Sequence, residues 1–158
     1  MKIKIFLLFI LTTSLISCDD TQVFDEYQSV GSAWHQDSIV KFDLPKTDEK
    51  EYYKLFINIR SNNDYPFKNM FLLVSMEQPD GLTKVDTLEY EMANPDGSLM
   101  GEGFSGTKES KLFYKENFKF DKKGIYKVRI QQAVRQAGKV AGVKELKGIT
   151  EVGFRVEK

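Results

Sequence analysis

From Val40 onward the chain alternates apolar and polar residues with a period of two, the pattern of strands that bury one face. Val40, Phe42 and Leu44 alternate with Lys41 and Asp43. Tyr53, Leu55, Ile57 and Ile59 alternate with Lys54, Asn58 and Arg60, which leaves Phe56 as an aromatic on the polar face. Residues 70–74 are apolar on both faces and predict a central strand. The clearest alternation lies near the C-terminus. There Tyr126, Val128 and Ile130 are interleaved with Lys127, Arg129 and Gln131, and Val152, Phe154 and Val156 with Glu151, Gly153, Arg155 and Glu157. Residues 83–92 and 112–120 have the aromatic and β-branched content of strands, but their alternation slips, as it does at a β-bulge.

Turn-forming clusters separate these runs at 45–50, 61–66, 79–81, 94–97 and 121–124. Residues 131–146, rich in Ala, Gln, Lys and Val, are the one stretch of helical composition, and Gly138 and Gly142 weaken it. A strand from Gly124 to about Arg135, then a loop, is expected there. About seven or eight short strands with no long amphipathic helix between them predict an all-β fold, an antiparallel β-sandwich of immunoglobulin-like or jelly-roll topology.

The N-terminus follows different rules. Lys2 and Lys4 precede an apolar run, residues 5–16, broken only by Thr12, Thr13 and Ser14. A membrane-spanning helix needs about 20 mostly apolar residues, and this run is too short. Charge, apolar stretch and a small residue before a cysteine are the three parts of an export signal. Leu15-Ile16-Ser17-Cys18 resembles the bacterial lipobox, so residues 1–17 read as a lipoprotein signal peptide and Cys18 as the acylated first residue of the mature chain. Cys18 is the only cysteine, so no intramolecular disulfide forms and acylation would consume the one reactive thiol. Several acyl chains on one residue make a durable anchor, each buried methylene contributing about 0.8 kcal/mol. The membrane is thus the first expected partner, held through acyl chains on Cys18. Residues 18–32 have few large apolar side chains beyond Val23, Phe24, Tyr27 and Val30 and read as a lipidated tether, leaving 33–158 as one β-sandwich domain.

Composition narrows the function classes. Without Lys2 and Lys4, 21 basic residues face 23 acidic ones, and lysines alternate with acids throughout, which argues against a nucleic-acid partner. Gly101-Glu102-Gly103-Phe104-Ser105-Gly106 fits G-x-G-x-x-G literally, but a dinucleotide site needs a strand before it and a helix after it, and a strand-like segment follows instead. The segment reads as a mobile loop or a glycine bulge. His35 is the only histidine, with Trp34 beside it and Asp37 two residues on. Zinc would require three or four ligands, and no G-x-S-x-G elbow surrounds any serine, so Trp34 is expected as a core or sheet-edge anchor with His35 exposed. The segments 94–97 and 79–81 carry calcium-type oxygens without EF-hand spacing, and turn formation accounts for both. Of Phe56, Tyr65, Phe67, Phe104, Phe113 and Tyr114, several fall on polar faces or in loops; core packing is expected to account for about half of them, and the rest read as contact anchors for protein ahead of a glycan.

Several segments together carry a family resemblance. They are Trp34-His35-Gln36-Asp37-Ser38-Ile39-Val40-Lys41-Phe42, Asn58-Ile59-Arg60, and Asp64-Tyr65-Pro66-Phe67-Lys68-Asn69-Met70. Asp86-Thr87-Leu88-Glu89 then leads to the glycine-rich stretch 97–106, and Gly124-Ile125-Tyr126 leads to Gln131-Gln132-Ala133-Val134-Arg135. The last is Leu146-Lys147-Gly148-Ile149-Thr150-Glu151-Val152-Gly153-Phe154. In this order, behind a lipobox, they resemble the gliding-motility lipoprotein GldH family of Bacteroidota across nearly the whole mature chain. The resemblance implies a cell-envelope lipoprotein associated with gliding and the linked protein-secretion machinery, with envelope proteins as partners. It implies no catalytic residue and no cofactor, so a non-enzymatic docking or structural role is expected, with an envelope glycan- or peptidoglycan-binding module as the alternative. Asp19 and Asp20 follow Cys18 directly. In some bacteria aspartate there retains a lipoprotein in the inner membrane; for this lineage an outer-membrane anchor, its periplasmic face ahead of the cell surface, is the expectation.

Overall fold

The computed structural model describes residues 20–158; the signal segment and Cys18 lie outside the described residues. The alternation becomes burial strand by strand. Val40–Leu44 reads buried, exposed, buried, exposed, buried, and Asn69–Glu77 buries every second residue. Ten strands result, with no helix among the described residues: β1 (Gln22–Ser29), β2 (Ala33–His35), β3 (Val40–Leu44), β4 (Tyr53–Asn62), β5 (Asn69–Glu77), β6 (Thr83–Glu91), β7 (Thr107–Phe118), β8 (Tyr126–Gln132), β9 (Glu145–Lys147) and β10 (Ile149–Glu157).

Two four-stranded antiparallel sheets form, in the orders β1-β10-β4-β7 and β3-β8-β5-β6, with β2-β9 as a separate two-stranded ribbon. Among the eight longer strands the first pairs with the last, the second with the seventh, the third with the sixth and the fourth with the fifth. Such nested pairing, rolled into two facing sheets, is a jelly roll, which resolves the choice of topology. Every connection between the long strands except the β5–β6 hairpin carries the chain from one sheet to the other.

The core lies between the sheets. Leu55, Ile57, Ile59, Val152, Phe154 and Val156 from one sheet meet Phe42, Leu72, Val74, Val128 and Ile130 from the other, all essentially inaccessible to solvent. Phe42 stacks on Phe154 across the gap, ring centroids 6.1 Å apart. The two long sides of the sandwich are also laced. On one, Gln28 of β1 bonds the backbone of Lys41 in β3. On the other, Tyr114 of β7 donates to Asp86 of β6 at 2.7 Å, and Tyr90 of β6 donates to the Phe113 carbonyl at 2.7 Å. These side-chain links bridge edge strands that would otherwise leave the gap between the sheets open.

Three expectations change. Gln22–Ser29, read as tether, is an edge strand paired with β10 from Gln22↔Glu157 to Ser29↔Glu151. The few apolar residues noted there are the ones that pack: Phe24 is buried against Phe42, and Val23 and Val30 lie on the core. Glu26 and Gln28, which follow Phe24 at spacings of two and would continue its face, are polar and exposed at this sheet edge, and they hid the period. The strand expected to reach Arg135 ends at Gln132, whose side chain turns back to accept from the Val134 amide and donate to the Val143 carbonyl. The slipping strand at 112–120 starts earlier, at Thr107, and its slip is real: β4 and β7 change register twice between Tyr53 and Phe56, and Asn117 adopts a φ of 53°.

Candidate functional site

Strand direction sorts the connections into two ends. The near end holds the N-terminal entry at Thr21, the C-terminus and the loops 45–52, 78–82 and 119–125. The far end holds the turns after β1 and β4, the glycine-rich connection 92–106 and the loop 133–144.

The outer face of the β1-β10-β4-β7 sheet carries the densest polar network. Tyr27 pairs with Gly153, and its ring lies so close that a Cβ there would meet it at 2.8 Å. The Arg60 guanidinium sits 4.1 Å from that ring's centroid and donates to Glu109 at 2.8 Å and Glu151 at 2.6 Å. The Tyr27 hydroxyl donates to Glu109 and accepts from buried Asn58, both at 2.9 Å. Burial and this Glu109 bond raise the Tyr27 hydroxyl well above its ordinary pKa, so it stays protonated. Burial pushes the Glu109 carboxyl up, but hydrogen bonds from Arg60 and Tyr27 outweigh it and hold it below the usual range. Beside this cluster Arg155 binds Asp25 at 2.7 Å, and Lys111 binds Glu157 at 2.6 Å while capping the Phe56 ring at 4.1 Å. The face is crowded with charge, yet those charges are engaged with one another.

The far end differs. Gly101 and Gly103 take φ values of 103° and 151°, and a side chain on either would strike the backbone of β7, at 2.6 Å from the Glu109 carbonyl and 2.2 Å from the Thr107 carbonyl. Glu102 and Glu109 exchange both backbone hydrogen bonds, at 2.9 and 2.7 Å. Glycine therefore lets the loop fold flat against β7, and the connection is tied down at its base. At its tip Phe104 is 92% exposed. Val140, on the neighbouring loop, is 90% exposed. Between the glycine segment and the β4–β5 turn lies an open depression of about 730 Å³, edged by Asn63, Asn94, Ser98 and Lys108.

The remaining expected residues sort cleanly. Trp34 is fully buried and donates from Nε1 to the Ser38 carbonyl at 2.8 Å, as a core anchor. His35 is half-exposed, its two ring nitrogens each 3.7 Å from a carboxylate of Asp37 or Glu145, and no metal-binding group of His, Cys, Asp or Glu occurs among the described residues. Asp96 spends its carboxylate on Ser98, from both amide and hydroxyl, and Asp80 accepts from the Leu82 amide, so both acidic segments close turns. The glycine motif leads into β7, without the helix a nucleotide site requires. Of the six aromatics, Tyr65 and Tyr114 are buried and Phe67 packs on Tyr65. Phe56 and Phe113 meet edge to face at 5.9 Å, so the two rings do not form one flat surface. Phe104 alone of the six projects almost wholly into solvent. Val140 was missed, as were Tyr52, Leu82 and Ile125 at the near end; each sits in a turn, where strand alternation carries no signal.

Residues 22–156 match the model of the GldH lipoprotein family, from the first residue of β1 almost to the last of β10. The chain belongs to the GldH lipoprotein family. Among its GldH relatives, the gliding motility lipoprotein GldH of Flavobacterium johnsoniae is 65% identical over 143 residues, covering 90% of this chain and 89% of the relative. A gliding motility lipoprotein GldH homolog of Christiangramia forsetii is 54% identical over 152 residues, covering 96% and 93%. The GldH match begins at Gln22, so the strand misread as tether lies within the family's shared region.

Proposed function

We propose that this protein is a non-enzymatic envelope lipoprotein, anchored through acyl chains on Cys18, that docks onto proteins of the gliding apparatus and its associated secretion machinery through the far end of the sandwich. Phe104 carries the reading. A large aromatic, 92% exposed on a loop whose base is tied to β7, is a pre-ordered contact residue. Little conformational entropy is lost when such a residue is buried by a partner, and aromatic anchors dominate protein interfaces. The two gliding motility relatives support the setting. We propose an anchor in the outer membrane, facing the periplasm.

The test is affinity purification of the acylated chain in mild detergent, followed by mass spectrometry. Envelope proteins should co-purify with the wild type, and Phe104→Ser should lose them with its unfolding midpoint unchanged. A wild-type chain that emerges alone, under conditions that keep other envelope complexes intact, overturns the docking role. Cys18→Ala should release a folded domain from the membrane fraction. Digestion of the domain by protease added to intact cells would move it to the cell surface.

A further inference from the structure

The near end of the sandwich adjoins the attachment point and is built for a different contact from the far end. Only Asp19 and Asp20 separate Cys18 from Thr21. Three Cα-to-Cα steps reach at most about 11 Å. Thr21 is itself held, its carbonyl accepting from the Lys158 amide at 2.9 Å, and the next residue enters β1. The tether is therefore short at both levels: few residues, and a fixed point where it meets the fold.

Each of the three near-end loops carries one large apolar side chain more than half exposed: Tyr52 at 59%, Leu82 at 54% and Ile125 at 57%. The loops are braced against one another. Asp80 and Lys122 lie 3.6 Å apart, Gly124 packs so closely on Pro79 that a Cβ would meet it at 2.7 Å, and the Lys119 ammonium lies 5.6 Å from the Tyr52 ring centroid. Behind them Tyr53, Phe120 and Tyr126 meet edge to face, ring centroids 5.4 and 4.9 Å apart, which fixes the bases of two loops. Across the three loops five lysines balance five carboxylates, so this end has no net attraction for an anionic surface.

We infer that this end is a bilayer-contacting surface. It rests on the reading of Cys18 as the acylated residue. With the acyl chains buried, about 11 Å of chain holds Thr21 and the near end beside the headgroups. Tyr52, Leu82 and Ile125 lie in the interface between headgroups and acyl chains, where a tyrosine ring is favoured by its apolar body and polar tip. Lys119 and Lys123 lay their stems along the same surface and keep their ammonium groups at the level of the phosphates. The sandwich then stands on its near end, and Phe104 is held roughly 30 Å out, the length of the nine-residue β10 at about 3.3 Å per residue.

The test uses the full acylated chain in phosphatidylcholine vesicles. Acylation consumes the only native thiol, so Leu82→Cys, Ile125→Cys and, as the far-end control, Phe104→Cys each accept a single polarity-sensitive fluorophore. Flotation reports anchoring, and quenching by spin-labelled lipid reports contact. Support is a chain that floats with the vesicles, is quenched several-fold at 82 and 125, and is unquenched at 104, with no dependence on salt. A chain that floats but is unquenched at 82 and 125 overturns the seated orientation and leaves the anchor standing. A chain that does not float overturns the anchor and the orientation with it. If 82 and 125 become protected only when envelope proteins are added, this end is a protein interface and the inference fails.

Discussion

Phe24→Ala separates a strand from a tether more sharply than any other single change. Phe24 is 8% exposed, and its ring meets Phe42 of the opposite sheet edge to face, centroids 6.3 Å apart at 83°. Truncating a buried phenylalanine costs about 3–5 kcal/mol. β1 is an edge strand whose surroundings can relax into the gap, so the lower bound, about 3 kcal/mol, applies, with the aromatic pair included in it. Urea unfolding of the Phe24→Ala chain measures this. With a slope of about 2 kcal/mol per molar, the midpoint should fall by about 1.5 M. Glu26→Ala, an exposed neighbour on the same strand, is the control and should stay within about 0.5 kcal/mol of wild type. If Phe24→Ala matches Glu26→Ala, residues 22–29 contribute nothing to the fold, and both the short tether and the seated orientation lose their basis.

Gly148→Ala should be among the most damaging small substitutions: φ is 80°, and the new Cβ would lie 2.2 Å from the Tyr65 amide nitrogen and 2.5 Å from its Cα. Backbone strain and overpacking together cost about 3 kcal/mol or more, read as loss of soluble yield or a lowered thermal midpoint. Acid should weaken the fold through Asp86, whose carboxyl is held below its ordinary 3.8 by hydrogen bonds from Lys115 and Tyr114, which outweigh the opposing effect of burial. Because the folded value is the lower one, this contribution is complete above about pH 5, begins to fall as the unfolded carboxylate protonates, and disappears as pH falls through the folded value. Urea midpoints at pH 7 and pH 3 should therefore converge in Asp86→Asn relative to wild type, and an unchanged gap would rule out this carboxylate as a source. Arg60→Ala should cost about 1–2 kcal/mol, since its side chain is 36% exposed and solvent screens both ion pairs, yet leave partner capture intact.

What the sequence shows of the fold follows from where apolar alternation is complete. β3, β8 and β10 were legible because, Gln132 at the end of β8 apart, their inward positions are apolar and their outward ones polar or glycine. β5 was legible as central from its two apolar faces, and β7 as bulged from its slip. β1 was not, because an edge strand needs only one deep anchor, Phe24, and because Tyr27 finds its place over Gly153, a partner no local pattern reveals. β2 and β9 are three residues each, too short for a period, and are marked only by Trp34 and Leu146 facing the core. Phe104 was legible as an aromatic in a glycine-rich loop. The gathering of Tyr52, Leu82 and Ile125 was not, since only nested strand pairing brings residues so far apart in the chain to one end.

Charge is a poor guide to where this molecule meets others. The outer face of the β1-β10-β4-β7 sheet holds its most concentrated charge, but Arg60 is shared by two carboxylates and stacked on Tyr27, and Arg155 and Lys111 are engaged with Asp25 and Glu157. A partner recruiting those groups would have to break pairs already made and desolvate both members, which makes the face a costly docking site and a good stabiliser of β1 against the sheet. The two ends carry the opposite signature: exposed apolar side chains on braced loops, with little net charge. In the proposed orientation, a jelly roll with its strands upright on a short tether would turn those ends to different surroundings, lipid below and envelope proteins above. Losing the β1 clasp would then damage function indirectly, by lengthening the tether and freeing the orientation, even in a chain whose Phe104 is untouched.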